Sequence, residues 1–235
     1  MLVSRLKSSV AATLPKPFAD YLRQKIAVVR QNSRSPREVF SEIYRRNAWG
    51  GKAGEFYSGT HFGVEAYTAA VRDFIKWNGI ASVLDLACGD FFIGQRVAPA
   101  CQFYIGADVV PDLIARNTKE FGSERIKFAC LDMLSDDLPD ADLCLILQAL
   151  QHLSNRQIAT VLRKCRKYRH LIVSEHQPTT AAVVNLDQPQ SCGIRLDRGS
   201  GVYLDKPPFN ARVRLLFETP AGPDWGMVRT FRVFL

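Results

Sequence analysis

The chain of 235 residues is 47% hydrophobic and 23% charged, close to the average of folded domains, which excludes a disordered polymer or a fibrous repeat. No apolar run reaches the roughly 18–20 residues that span a bilayer, and Arg5 and Lys7 break the first apolar stretch, which argues against an integral membrane protein. The net charge of +8 is unevenly placed: residues 1–37 hold eight Lys or Arg against Asp20 alone, while the rest of the chain is nearly neutral. This predicts a basic N-terminal extension over 1–37 and a globular body over 38–235, with the extension available to an anionic membrane surface, a polyanion or an acidic partner. A solvated helical extension or an organelle transit peptide are the alternatives.

In chain order, Ser35 and Pro36 form a helix start, and Val39, Phe40, Ile43 and Tyr44 share one face of a helix reaching about Asn47. A glycine-rich loop, AWGGKAGEFYSGTHFG, leads into a second helix over Val64–Trp77. From Ala81 short apolar runs alternate with helices: strands at SVLDLA, FYIGAD, IKFACLD, DLCLILQ and HLIVSEH, with helices near Pro111–Phe121 and Asn155–Lys167. Runs apolar on both faces imply strands between helix layers, hence a doubly wound, Rossmann-like α/β fold with a mostly parallel sheet. After Pro178 comes an irregular stretch, then ARVRLLFET and GMVRTFRVFL, which alternate like two antiparallel edge strands closing the sheet as a C-terminal hairpin. The six cysteines stand singly, with no zinc spacing, and fit a reducing, cytoplasmic compartment.

Ligands of such a sheet bind beyond the carboxyl ends of its strands, and here those ends are acidic: Asp85 with Asp90 after the first strand, Asp108 after the second, Asp132 after the third. Asp108 follows Asp85 by 23 residues, about the interval at which a doubly wound nucleotide site places the acid that holds ribose hydroxyls. Carboxylates at the first turn would repel a pyrophosphate, which disfavours NAD. A sulfonium and an ammonium would be favoured there, and the pattern points to a cationic adenosine derivative.

VLDLACGDFFIG, YIGADVVPDLI, CLDML and LILQALQHLS resemble successive motifs of the class I S-adenosylmethionine-dependent methyltransferases. FSEIYRRNAWGG, SGTHF, DLACGDF, YIGADVVPDLIARN, QHLS and PPFN, in that order, are similar to a bacterial-type subfamily with DxPCGDF and YIGxDIVPxLI motifs. The resemblance implies a methyltransferase domain over 38–235 with S-adenosylmethionine as cofactor, Asp85 facing the methionine amino group, Ala87, Cys88 and Gly89 forming the close-approach turn, Asp108 and Val109 at the ribose, and Asp132 with Met133 at the adenine. Gln148 stands where the subfamily has an acid, and Ala87 and Phe91 stand where the class has glycine.

His152, after the fourth strand, is the candidate general base, with His176 second and His170 structural. Trp49, Tyr57 and His61 are the candidate lid or substrate residues, joined by Phe56 and Phe62. The expected function is methyl transfer to a small-molecule or glycan/lipid-linked acceptor at oxygen; a catalytically inactive, methyltransferase-like binding protein is the alternative. With a nearly neutral body, a nucleic-acid substrate is disfavoured, and Lys206–Asn210 reads as a rigid turn rather than a catalytic signature.

Overall fold

The computed structural model describes residues 34–52, 55–59, 63–221 and 226–235. Its compact unit spans Pro36–Leu235. Most of the extension expected over 1–37, together with His61 and Phe62, lies outside the described residues, and the expected boundary at 37/38 falls inside the first helix.

Helix α1 (Pro36–Arg45) has proline at its first position, Glu38 in its first turn and Arg45 in its last, each matched to the helix dipole. Its buried stripe is Val39, Ile43 and Tyr44. Helix α2 (Val64–Trp77) buries Val64, Tyr67, Thr68, Val71 and Ile75, the spacing of a single helical face.

Strands β1 (Ser82–Leu86), β2 (Phe103–Asp108), β3 (Ile126–Cys130), β4 (Leu143–Leu147), β5 (His170–Gln177), β6 (Arg212–Pro220) and β7 (Met227–Phe234) form one sheet in the order β3-β2-β1-β4-β5-β7-β6. The first five are parallel neighbours and β7 is antiparallel to both β5 and β6. A short helix α3 (Gly94–Val97) follows β1, α4 (Pro111–Phe121) links β2 to β3, and α5 (Asn155–Cys165) links β4 to β5. A Ser154/Gln157 capping box starts α5.

Alternation along the strands divides the core. Leu84, Leu86, Ile146 and Val173 face the side covered by Ile158, Val161 and Leu162 of α5, while Val83, Leu145 and Ile172 face Val71 and Ile75 of α2. Strand order reverses at β1, between β2 and β4, so the crevice for a ligand opens at the carboxyl ends of β1 and β4.

Two expectations change. Of the C-terminal hairpin only β6 is an edge: β7 inserts beside β5 and buries Val228, Thr230 and Val233, leaving β6 outside with Arg212, Arg214 and Leu215 exposed. Strand β3 stops at Cys130 rather than Asp132 and is half-exposed because it is the opposite edge.

Candidate functional site

Beyond β1 the chain turns through Ala87–Asp90, where Ala87 (φ 67°), Gly89 (φ 55°) and Phe91 (φ 64°) all hold left-handed backbone. The turn closes because Ala87 N and Cys88 N both donate to Ala107 O, at 2.8 and 3.0 Å. Gly89 has a separate reason to be glycine: a Cβ there would lie 2.9 Å from Ser58 Cβ. Phe91 keeps the glycine-like backbone but carries a ring, which is fully buried against Tyr104, Phe121 and Phe128. Gly94 makes room for that ring, since a Cβ there would meet it at 2.4 Å. From α4, Asn117 Nδ2 donates to Gly89 O at 2.8 Å and Arg116 donates to Asp90 O at 2.9 Å, holding the turn from below.

A cavity opens over this turn. Asp85, Ala87, Cys88, Gly89, Asp108, Val109, Asp132, Met133 and Gln148 all line it, together with Asp90, Tyr67 and Tyr104. Asp85 accepts a hydrogen bond from the Tyr104 hydroxyl at 2.8 Å, and burial pushes its carboxyl up to about 7. Asp108 accepts from Gly89 N (3.2 Å) and Val110 N (3.1 Å); burial still lifts it to about 6. Asp132 accepts from Leu134 N at 2.8 Å.

Four aspartates line this cavity, and among its described lining residues there is no Lys or Arg. Two of those carboxylates are buried with nothing cationic to offset them, an arrangement that favours a positively charged guest. These acceptors fit the sulfonium, ammonium and ribose hydroxyls of S-adenosylmethionine.

A second cavity adjoins the first, sharing Trp49, Ser58, Gln148 and His152 and adding Gln151, His176, Cys192, Ile194 and Asp197. Its floor is the chain between β4 and α5. Gln148 leaves β4 with φ 51°, its N–H donating to Ser174 O at 2.7 Å. Residues Leu150–His152 then make one 3-10 turn. Glu175 of β5, 1% exposed, accepts from Leu150 N (2.8 Å) and Gln151 N (3.2 Å), and burial raises it to about 8 against the lowering effect of these amides and of the Arg195 charge. Arg195, equally buried, donates to Leu153 O (2.7 Å), Asn155 Oδ1 (2.8 Å) and Leu186 O (2.8 Å), which ties the irregular segment before β6 to the same turn.

His152 lies on this turn, its Nδ1 3.3 Å from Gly193 O and its ring 5.3 Å from that of Trp49. Burial lowers it to about 4, so the imidazole is neutral at physiological pH. Trp49 Nε1 donates to Cys192 O at 3.3 Å. Ser58 N donates to Asp90 Oδ2 at 3.1 Å, pinning the glycine-rich loop over the first turn.

The other sequence candidates separate. Tyr57 lines neither cavity: it packs over the turn before it, where a Cβ on Gly51 would come within 2.6 Å of Tyr57 Cβ. His176 lines the second cavity, whereas His170 is buried at the start of β5, edge-on to Phe74 at 5.5 Å. His61 lies outside the described residues. Sequence reasoning missed Glu175, Arg195, Gln151, Ser58, Tyr104 and Asn117. Of these only Glu175 carries a local signal, a carboxylate inside the otherwise apolar run HLIVSEHQ. Among the described residues no group of His, Cys, Asp and Glu could hold a metal ion, and no helix is long and apolar enough to cross a membrane.

Residues 83–170 match a family model described as a methyltransferase domain. An "Uncharacterized RNA methyltransferase" of Chlamydia trachomatis serovar D is 25% identical over 156 residues, 61% of this chain; the chain spans 36% of that relative's length. The N-methyltransferase NodS of Bradyrhizobium japonicum WM9, solved with S-adenosylhomocysteine, superposes with a TM-score of 0.58 at 16% identity over 81% of this chain and 98% of its own. The 1,6-didemethyltoxoflavin-N1-methyltransferase of Burkholderia thailandensis, also with S-adenosylhomocysteine, gives 0.58 at 16% identity over 91% and 90%. At such identity these likenesses speak for the fold. Residues 83–170 therefore resemble a methyltransferase domain, and the chain shares its Rossmann-like sheet with solved proteins that hold S-adenosylhomocysteine.

Proposed function

We propose that this protein transfers a methyl group from S-adenosylmethionine to an oxygen of a small-molecule or glycan/lipid-linked acceptor. The observation that carries the reading is the pair of buried, uncompensated carboxylates, Asp85 and Asp108, in a cavity without Lys or Arg among its described lining residues. S-adenosylmethionine, when bound, supplies an electrophilic methyl on a sulfonium. Asp85 holds the ammonium end, Asp108 takes the vicinal hydroxyls, and Asp132 with Met133 flanks the base.

The acceptor enters from the second cavity. With Nδ1–H donated to Gly193 O, His152 presents a neutral Nε2 to the acceptor hydroxyl. It orients that hydroxyl and takes its proton as the carbon–oxygen bond forms. A weak base suffices, because an alkylated hydroxyl is far more acidic than any imidazolium. Positioning alone contributes about 7–11 kcal/mol to such a displacement, and a base adds roughly 10²–10⁴-fold.

The reading as an inactive binding protein rests on Ala87, Phe91 and Gln148. All three keep the left-handed backbone a glycine would take, so the turns that face the ligand retain their course. An RNA acceptor, suggested by the chlamydial relative, would bring phosphates to cavities that offer them no described Lys or Arg.

Titration calorimetry with S-adenosylhomocysteine and with NADH tests the cofactor: binding of the first alone is expected, and binding of NADH alone overturns the reading. Incubation with methyl-labelled donor and a cell extract tests turnover. Label is expected in a small or lipid-linked product, and label confined to RNA would replace the acceptor class.

A further inference from the structure

The wall of the second cavity holds an acceptor atom with nothing to accept. Gln151 is 4% exposed there, and its Nε2 donates to Gln148 O at 3.2 Å, which fixes which end of the amide faces which way. Its Oε1 is then buried with no hydrogen-bond partner. The residue cannot easily turn to find one, because its N–H is held by Glu175 and its carbonyl by the Gln188 side chain. A buried unpaired carbonyl is a standing cost that a ligand's donor would remove.

The surroundings indicate what kind of ligand. Gln148 brings a second amide and Trp49 a flat indole; among the described lining residues the one carboxylate is that of Asp197, and there is no Lys or Arg. Amides and a carboxylate suit hydroxyl donors, and an indole face suits the C–H face of a sugar ring. An anionic ligand would meet Asp197 here and four aspartates next door.

Building on the methyl-transfer reading above, we propose that the second cavity takes an uncharged glycosyl or polyol unit and that Gln151 is a specificity-determining residue, accepting a hydrogen bond from one hydroxyl while His152 holds the hydroxyl to be methylated. The two residues are consecutive on the turn that Glu175 fixes, so one short segment reads two donors of the same acceptor.

The test uses the full chain with and without saturating S-adenosylhomocysteine, probed by saturation-transfer NMR with methyl mannoside, methyl glucoside and methyl rhamnoside against glucuronate and glucose 6-phosphate. At least one neutral glycoside is expected to bind, and the two anions at least tenfold more weakly. Gln151→Leu is expected to weaken the bound glycoside at least tenfold and to leave S-adenosylhomocysteine affinity within twofold. Gln151→Glu, which keeps an oxygen acceptor, is expected to fall between Leu and wild type. Asp197→Lys, on the exposed rim, is expected to improve glucose 6-phosphate binding at least fivefold, which tests the charge argument even if the Gln151 variants misfold. Equal binding of anions, binding of no glycoside, or an unchanged Gln151→Leu variant overturns the proposal. If glycosides bind but S-adenosylhomocysteine does not, the methyl-transfer reading fails and the saccharide site stands.

Discussion

The two adjoining cavities are built by opposite means. The first, over β1 and β2, is made of residues at the strand ends, Asp85 near the end of β1 with Ala87–Gly89 just after it and Asp108 as the last residue of β2, and its electrostatics come from carboxylates left without a cation. The second is made of groups that meet only through tertiary structure: a 3-10 turn after β4, Glu175 within β5, and Arg195 from the irregular segment before β6. In the second, the buried carboxylate has an opposing charge in Arg195 and two backbone amides. The first cavity thus leaves two buried carboxylates unpaired for a ligand, whereas beneath the second the buried Glu175 is met by amides and the Arg195 charge, and the amide of Gln151 lines the wall.

The sharpest way to break this comparison is to remove the internal partner. Arg195→Met leaves Glu175 buried without its opposing charge and releases three hydrogen bonds to Leu153, Asn155 and Leu186. Leaving these three buried acceptors without their charged donor costs at least about 1 kcal/mol each, so thermal unfolding should drop by roughly 6–12 °C or more at about 2–4 °C per kcal/mol for a chain of this size. S-adenosylhomocysteine affinity, measured at a temperature where the variant is folded, should stay within about threefold. A parallel collapse of cofactor affinity would mean that the two cavities are one unit.

Asp85→Asn tests the other side. The substitution removes the carboxylate proposed to hold the ammonium, and loss of a charged hydrogen bond of about 1.5–3 kcal/mol corresponds to roughly 10–150-fold weaker S-adenosylhomocysteine binding by calorimetry. The ligand-free variant should unfold no earlier than wild type and is expected to unfold later, since a desolvated carboxylate has been replaced by a neutral amide that can still accept from Tyr104. Weaker binding with lower ligand-free stability would show that Asp85 is a structural acid.

These two variants also mark where the sequence could be read and where it could not. Asp85, Asp108 and Asp132 could be placed beside one crevice from the sequence because the signal is local: each lies at or just past the carboxyl end of a parallel strand, and those ends face one crevice. Tyr57 was not, because a glycine-rich loop dense in rings does not say which ring turns inward; Trp49 and Ser58 face the cavities while Tyr57 covers Gly51. The order β5-β7-β6 was hidden for a similar reason, since both hairpin strands alternate alike and only burial against β5 distinguishes them. Gln151 and Arg195 belong to no periodic pattern at all. Their roles depend on partners 24 and 42 residues distant in the chain, Glu175 and Leu153 respectively.

Proton linkage sharpens the contrast at smaller amplitude. Burial raises Asp85 to about 7, Asp108 to about 6 and Glu175 to about 8, so the folded chain holds protons that the unfolded chain has already released above the ordinary carboxylate range. These three carboxylates therefore make stability fall as pH rises between about 4 and 8, the sign opposite to that of a salt-bridged acid. The ligand's ammonium favours an ionised Asp85, so S-adenosylhomocysteine should bind about tenfold more tightly at pH 8 than at pH 6 through this group alone. His152, lowered by burial to about 4, acts in the opposite sense: between about 4 and 6.5 the unfolded imidazole binds a proton that the folded one does not, so this group makes stability rise with pH there. Calorimetry in two buffers of different ionisation enthalpy should detect protons released on binding near pH 6.5; proton uptake would contradict the assignment.

The smallest effect concerns backbone alone. Ala87 holds φ 67° at the turn where the cofactor would approach most closely, and it does so with a Cβ that disfavours that region. Ala87→Gly relieves about 1 kcal/mol of backbone strain and restores flexibility to the unfolded chain, which offsets part of the gain. The net expectation is a rise of about 1–3 °C in unfolding temperature, with S-adenosylhomocysteine affinity unchanged or slightly higher. The matching substitution in the second cavity, Gln148→Gly, relieves the same kind of strain at φ 51° but also deletes one of the two amides proposed to meet the acceptor. It should raise stability by a similar amount while weakening glycoside binding. If Gln148→Gly leaves glycoside binding intact, only Gln151 among the two amides reads the acceptor.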